Sequence, residues 1–175
     1  SYNKYGETLC GDNVEIVDAA NGTKFIVLAD GMGSGVKANI LSKLTAKIVS
    51  TMMAAGLQVE DCVETIAATL PVCKERCVAY STFTIIALHD NEEAEIIQYD
   101  NPGVILLRDG GHYEFPSQEV VIGGKKILKA RVKLQENDVF IMMSDGCIHA
   151  GVGLELNFGW QRENIIEYME KMYKP

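Results

Sequence analysis

The chain has 175 residues, 47% of them apolar and 23% charged. It is long enough to bury a real core, and this composition excludes a disordered chain. Acidic residues outnumber basic ones 24 to 16, a net charge of −8, which excludes the basic footprint that nucleic-acid binding needs.

No apolar run reaches the length of a membrane-spanning helix. The first twelve residues, SYNKYGETLCGD, carry neither the basic stretch nor the apolar core of a secretory signal. The chain does not start with Met, which reads as a cleavage or cloning boundary. Five cysteines, an odd number without paired spacing, fit a reducing cytoplasm better than a disulfide framework. One domain spanning residues 1–175 is expected.

In chain order, residues 14–20 and 24–29 read as two strands joined by Asn21-Gly22, a strong hairpin signal. Gly35 to Ala55 reads as a long helix whose apolar face is Val36, Ile40, Leu41, Leu44, Ile48, Val49 and Met52. Gly56 ends it. Val59 to Leu70 is a second helix with Ile66 and Leu70 inward, closed by Pro71. Strands are expected at 79–89, 94–99, 104–108, 113–115, 127–134 and 139–144, and a final helix at 164–173. Elements segregated in this way predict an α+β fold with antiparallel sheets in layers.

Two segments echo each other. Phe25 to Gly31 and Phe140 to Gly146 are both apolar strands that end in Asp-Gly, at Asp30-Gly31 and Asp145-Gly146. A buried strand holds a terminal carboxylate rigidly, and the glycine lets the backbone turn with its carbonyl open to a ligand. A two-residue turn at Asn21-Gly22 puts Asp12 opposite Gly31, at the same end of the hairpin as Asp30. Ideal alternation then places Asp12 and Asp30 on opposite faces, so a bend at the strand ends is needed to bring them together. Clustered carboxylates with a backbone carbonyl call for a hard divalent cation such as Mg2+ or Mn2+. Two such ions can activate a water and clamp a phosphoryl group, so the expected chemistry is metal-assisted phosphate-ester hydrolysis.

Gly11-Asp12, Ala29-Asp-Gly-Met-Gly-Ser-Gly35, Asn101-Pro-Gly103 and Ser144-Asp-Gly146 together resemble the signature blocks of one family over nearly the whole chain. It is the SpoIIE (stage II sporulation protein E) branch of the phosphatase 2C-like serine/threonine phosphatases. The resemblance implies an α-β-β-α sandwich. It makes Asp12, Asp30 and Asp145 metal-ligating carboxylates, with Gly31 ligating through its carbonyl and a two-metal Mn2+ or Mg2+ site. It implies removal of phosphate from phosphoserine or phosphothreonine of a regulatory protein, in many bacteria an anti-sigma-factor antagonist, by attack of a metal-bound water. The family pattern closes with a further acidic motif and a last strand. No Asp follows Asp145 here, and Glu155, Glu163, Glu167 and Glu170 form no matching block, so a sandwich lacking its C-terminal strand is expected. The alternative is a catalytically weak phosphatase-like signalling module that binds a phosphoprotein.

Competing readings are weaker. Asp-Gly is a common turn, so either aspartate alone would be banal. Gly33-Ser-Gly35-Val-Lys-Ala38 fits a dinucleotide cradle, but that needs a parallel strand after the helix, and a second helix follows instead. Ser34 reads as an N-cap. Asn101 reads as a turn residue or a site contact, and the hydroxyls of Ser81, Thr82 and Thr84 as belonging to a strand near the site. His149 reads as a solvated loop histidine. Cys73 and Cys77, with Cys62, give only a faint zinc signal, since no second Cys/His pair follows.

Overall fold

A computed structural model describes residues 8–69, 81–90, 92–152 and 156–173. The chain opens with a hairpin of β1 (Asp12–Asp18) and β2 (Lys24–Gly31). Its turn is not the two-residue turn the Asn-Gly pair predicts. Gly22 N–H donates to the Ala19 carbonyl at 3.0 Å, and Ala19 N–H to the Thr23 carbonyl at 2.8 Å. Thr23 N–H donates to Asn21 Oδ1 at 3.1 Å, and Gly22 sits at φ +83°. This is a three-residue loop, a tight turn followed by a left-handed glycine. The extra residue shifts the register by one, so Asp12 lies opposite Asp30 and not Gly31.

Helices α1 (Gly35–Ala54) and α2 (Val59–Thr69) follow. Then come β3 (Ser81–His89), β4 (Glu93–Tyr99), β5 (Ile105–Arg108), β6 (Gly111–His112), β7 (Gln118–Ile122), β8 (Lys125–Lys133) and β9 (Val139–Ile141). Helices α3 (Asp145–Ile148) and α4 (Arg162–Met172) complete the order. The strands form a six-stranded sheet, β1-β2-β3-β4-β8-β7, and a three-stranded sheet, β6-β5-β9, with every pair antiparallel. Three apolar layers separate the elements. Phe25, Val27, Phe83, Ile85 and Ile97 of the large sheet pack with Leu41 and Val49 of α1 and Val63 and Ile66 of α2. Ile86, Ile96 and Val132 meet Val104 and Leu106 of the small-sheet side. Ile105 and Leu107 meet Ile165 of α4. The layering is helix, sheet, sheet, helix, as expected.

Several elements depart from expectation. The strand placed at 113–115 is not one. Pairing there is confined to Gly111–His112, and a strand passed over in the sequence runs at Gln118–Ile122. It turns into β8 through Gly123 and Gly124, at φ +56° and +77°, a Gly-Gly hairpin signal. The strand placed at 139–144 stops at Ile141, and Asp145 opens a short helix. No strand follows α4 among the described residues.

Helix α1 forms where periodicity puts it, and Leu41, Ile48, Val49 and Met52 face the core as expected, but the other three residues of the expected face do not. Val36, Ile40 and Leu44 are 60%, 51% and 46% exposed, while Ala38, Ser42, Thr45 and Ala46 are fully buried. Small side chains let the helix lie close against the hairpin, where a large apolar stripe would hold it off. The closest approach is at the site end. A Cβ added to Gly31 would sit 2.0 Å from the Ala38 carbonyl oxygen. Gly31→Ala is therefore expected to lower stability by about 1–3 kcal/mol through overpacking. Urea unfolding of the two proteins measures it.

Candidate metal centre

Asp12 and Asp30 are directly opposed residues of an antiparallel pair, so their side chains leave the same face of the sheet. No bend is needed to bring them together, contrary to the expectation drawn from a two-residue turn. Asp145 arrives from the far end of the chain on the first turn of α3. It is brought in by Ser144, which is 6% exposed and donates its hydroxyl to Asp12 Oδ2 at 2.9 Å. Asp12 and Asp145 both lie within hydrogen-bonding reach of Asp30. Burial, and then the charges of Asp12 and Asp145, push Asp30 up to about 8.

That shift is the chemical test of the donor set. Burial and then two neighbouring carboxylates disfavour a charged Asp30, and a divalent ion among them offsets both. The oxygen-only ligands fit Mg2+ or Mn2+. The contacts are pairwise on Asp30. Among the described residues no three His, Cys, Asp or Glu side chains form a ready-made metal cage. Asp30, Gly31, Met32, Gly33, Ser81, Thr82, Asp100 and Asp145 line a pocket of about 340 Å3 beside them.

A polar network fixes the pocket wall. Ser81 Oγ donates to the Asp30 carbonyl at 2.8 Å. Thr82 Oγ1 donates to Asn101 Oδ1, and Asn101 Nδ2 donates to Thr84 Oγ1 at 3.1 Å. Asn101 thus locks the β4–β5 turn onto β3. Gln98 Nε2 donates to the Pro102 carbonyl at 3.0 Å and holds the same turn. Two roles at the site are not evident from the sequence. Ser144 stands in the Ser144-Asp-Gly146 block and at the end of an expected strand without any sign of its bond to Asp12, and Asp100, at φ +56°, belongs to no motif.

Other expectations fall elsewhere. Ser34 takes the N-cap position of α1 with extended backbone but makes no side-chain cap bond. His149 is exposed and borders a neighbouring cleft. Glu167 pairs with Lys171, and Glu170 accepts the His112 N–H, so both are engaged far from the pocket. The strand after the two helices, β3, is antiparallel to β2, which leaves no dinucleotide-binding βαβ unit. Cys73, Cys77 and Glu155 lie outside the described residues. Cys10, Cys62 and Cys147 are in no disulfide, and burial pushes Cys62 up to about 11.

In the metal-free chain Asp30 keeps its proton up to about pH 8, whereas the unfolded chain loses it near the ordinary aspartate value of 3.8. The folded state binds the extra proton between those values, so stability falls as pH rises through that window. Thermal unfolding in chelator is expected to show a lower midpoint at pH 8.5 than at pH 6. Asp30→Asn should flatten that drop, and excess Mn2+ should remove it in the wild type.

The family model for stage II sporulation protein E (SpoIIE) matches residues 20–174. Among solved structures, the phosphatase 2C domain with a regulatory fragment of SpoIIE from Bacillus subtilis superposes with TM-score 0.74 at 19% identity, covering 95% of this chain and 49% of that one. The RsbU and RsbW domains of a Mycobacterium tuberculosis protein give 0.72 at 15% identity, covering 97% and 48%. RsbX in complex with magnesium gives 0.62 at 24% identity, covering 99% and 84%. The chain thus spans about half the length of the first two. Among curated proteins none matches. No helix among the described residues is long and apolar enough to cross a membrane. With its family match over most of its length and its helix–sheet–sheet–helix layers, the chain belongs to the SpoIIE family of phosphatase 2C-like proteins.

Proposed function

We propose that the chain is a Mn2+- or Mg2+-dependent phosphoprotein phosphatase that hydrolyses phosphoserine or phosphothreonine. The observation that carries this reading is the opposed pair Asp12 and Asp30, with Asp145 in contact with Asp30. Asp12, Asp30, Asp145 and the Gly31 carbonyl would hold the ions. When bound, the ions would lower the pKa of a water and neutralise phosphoryl charge.

The protein's own groups set the rest. Without a cation the three carboxylates repel a phosphate dianion. The Ser144 hydroxyl orients Asp12, and Ser81 fixes the backbone that carries Asp30. The Thr82–Asn101–Thr84 network keeps the pocket wall rigid, so a phosphate entering it meets a fixed shape. The substrate in this reading is a regulatory phosphoprotein. The family resemblance points to an anti-sigma-factor antagonist in the cytoplasm, and similarity to a protein with RsbU and RsbW domains supports it.

Hydrolysis of p-nitrophenyl phosphate with Mn2+ tests the reading. Asp30→Ala is expected to lose activity by at least about 100-fold. Ser144→Ala, which removes only an orienting bond, is expected to weaken Mn2+ binding by about tenfold, read by calorimetry. Equal rates for wild type and Asp30→Ala would reject the phosphatase and leave the weakly catalytic phosphoprotein-binding module.

A further inference from the structure

A second cleft, of about 490 Å3, opens beside the carboxylate pocket and shares Asp100 and Asp145 with it. Its floor belongs to the large sheet. Gln98 of β4 and Leu128 of β8 are cross-strand partners, and Glu119 of β7 pairs with Leu128 from the other side. All three therefore share one face. Pro102 forms one wall, and Ile148 and His149 at the end of α3 form another. Leu128 is a leucine in an inner strand of the sheet, yet 39% exposed.

The charge around the exposed Leu128 is acidic on balance. Glu119 and Lys126 pair at 3.1 Å, which leaves Asp100, and Asp145 where no ion holds it, as the carboxylates of the rim. Such a rim repels an acidic segment and leaves Leu128, Pro102 and Ile148 for an apolar one. An extended chain advances about 3.3 Å per residue. A peptide whose phosphate sits in the first pocket therefore reaches this shared-wall cleft within about three residues.

We propose that the cleft seats the polypeptide flanking the phosphorylated residue and selects an apolar, non-acidic side chain against Leu128. The proposal rests on the phosphatase reading, and its test separates the two. Manganese-loaded wild type and Leu128→Glu are each given p-nitrophenyl phosphate and a random phosphoserine heptapeptide pool read by mass spectrometry. Wild type is expected to favour Leu, Ile, Val or Met within three residues of the phosphoserine over Asp or Glu by at least about tenfold, the discrimination one apolar contact supplies.

Leu128→Glu should erase that preference and lower the peptide-to-ester ratio of kcat/KM by a similar factor. Lys171→Ala, on the exposed face of α4, should keep both as in wild type. Leu128→Arg is the second variant and should shift the preference toward acidic flanks. Thermal melts check that each variant is folded. A flat wild-type profile, or an unchanged ratio in a folded Leu128→Glu, overturns the proposal while hydrolysis of the ester keeps the phosphatase. If wild type hydrolyses neither compound, both fall.

Discussion

Everything at the candidate site depends on two like charges being held face to face. Asp12 and Asp30 are opposed on neighbouring strands, where like charges cost stability, and a third carboxylate is added to them. Burial first, and then the charges of Asp12 and Asp145, bring Asp30 to about 8. The hairpin tolerates it because the strands continue into a well-buried sheet. Val27, Ala29, Ile85 and Ala87 are fully buried beneath the helices, and each buried Val or Ile contributes roughly 1.5–3 kcal/mol. The core stabilises what the site destabilises, and a bound cation would turn repulsion into attraction.

The surrounding fold serves that arrangement in two ways. Helix α1 lies close to the hairpin because its inner face is built from Ala38, Ser42, Thr45 and Ala46 and because Gly31 has no side chain to hold it off. On the other side, the small sheet delivers α3 so that Ser144 reaches Asp12 across 132 positions of sequence. Neither contact is a large source of energy. Both fix where oxygens point, which matters more in a site whose work is geometric.

Much of this was legible in the sequence. The order of elements, the antiparallel layering and the strand end at Asp30 follow from periodicity and turn residues, whereas the strand before Asp145 stops early, at Ile141. The register did not. Asn-Gly serves a two-residue turn and also the last two positions of a three-residue loop, and only the bond from Gly22 to Ala19 tells them apart. Val36, Ile40 and Leu44 were wrongly placed on the inner face of α1 because periodicity weights large apolar residues, while close packing selects small ones. Strand β7 was missed although Gly123-Gly124 marks its turn, because Pro116 and the polar residues before it masked the start. The bond from Ser144 to Asp12 could not be read from its signature block, since it exists only once the two ends of the chain meet.

The loop Ala20–Gly22 begins eight residues after Asp12, roughly 26 Å along the strand. Nothing at its tip touches a phosphate. Yet the choice of the pair that closes it, Ala19 with Thr23 and not Ala20 with Thr23, decides which way every side chain of β1 faces. The same sequence closed on Ala20 and Thr23 would set Asn13 opposite Asp30 and turn Asp12 toward α1, leaving the composition of the site intact and its geometry wrong. In this hairpin, chemistry is encoded partly as a choice of closing pair, so a substitution that favours the shorter turn would disable the site from its far end.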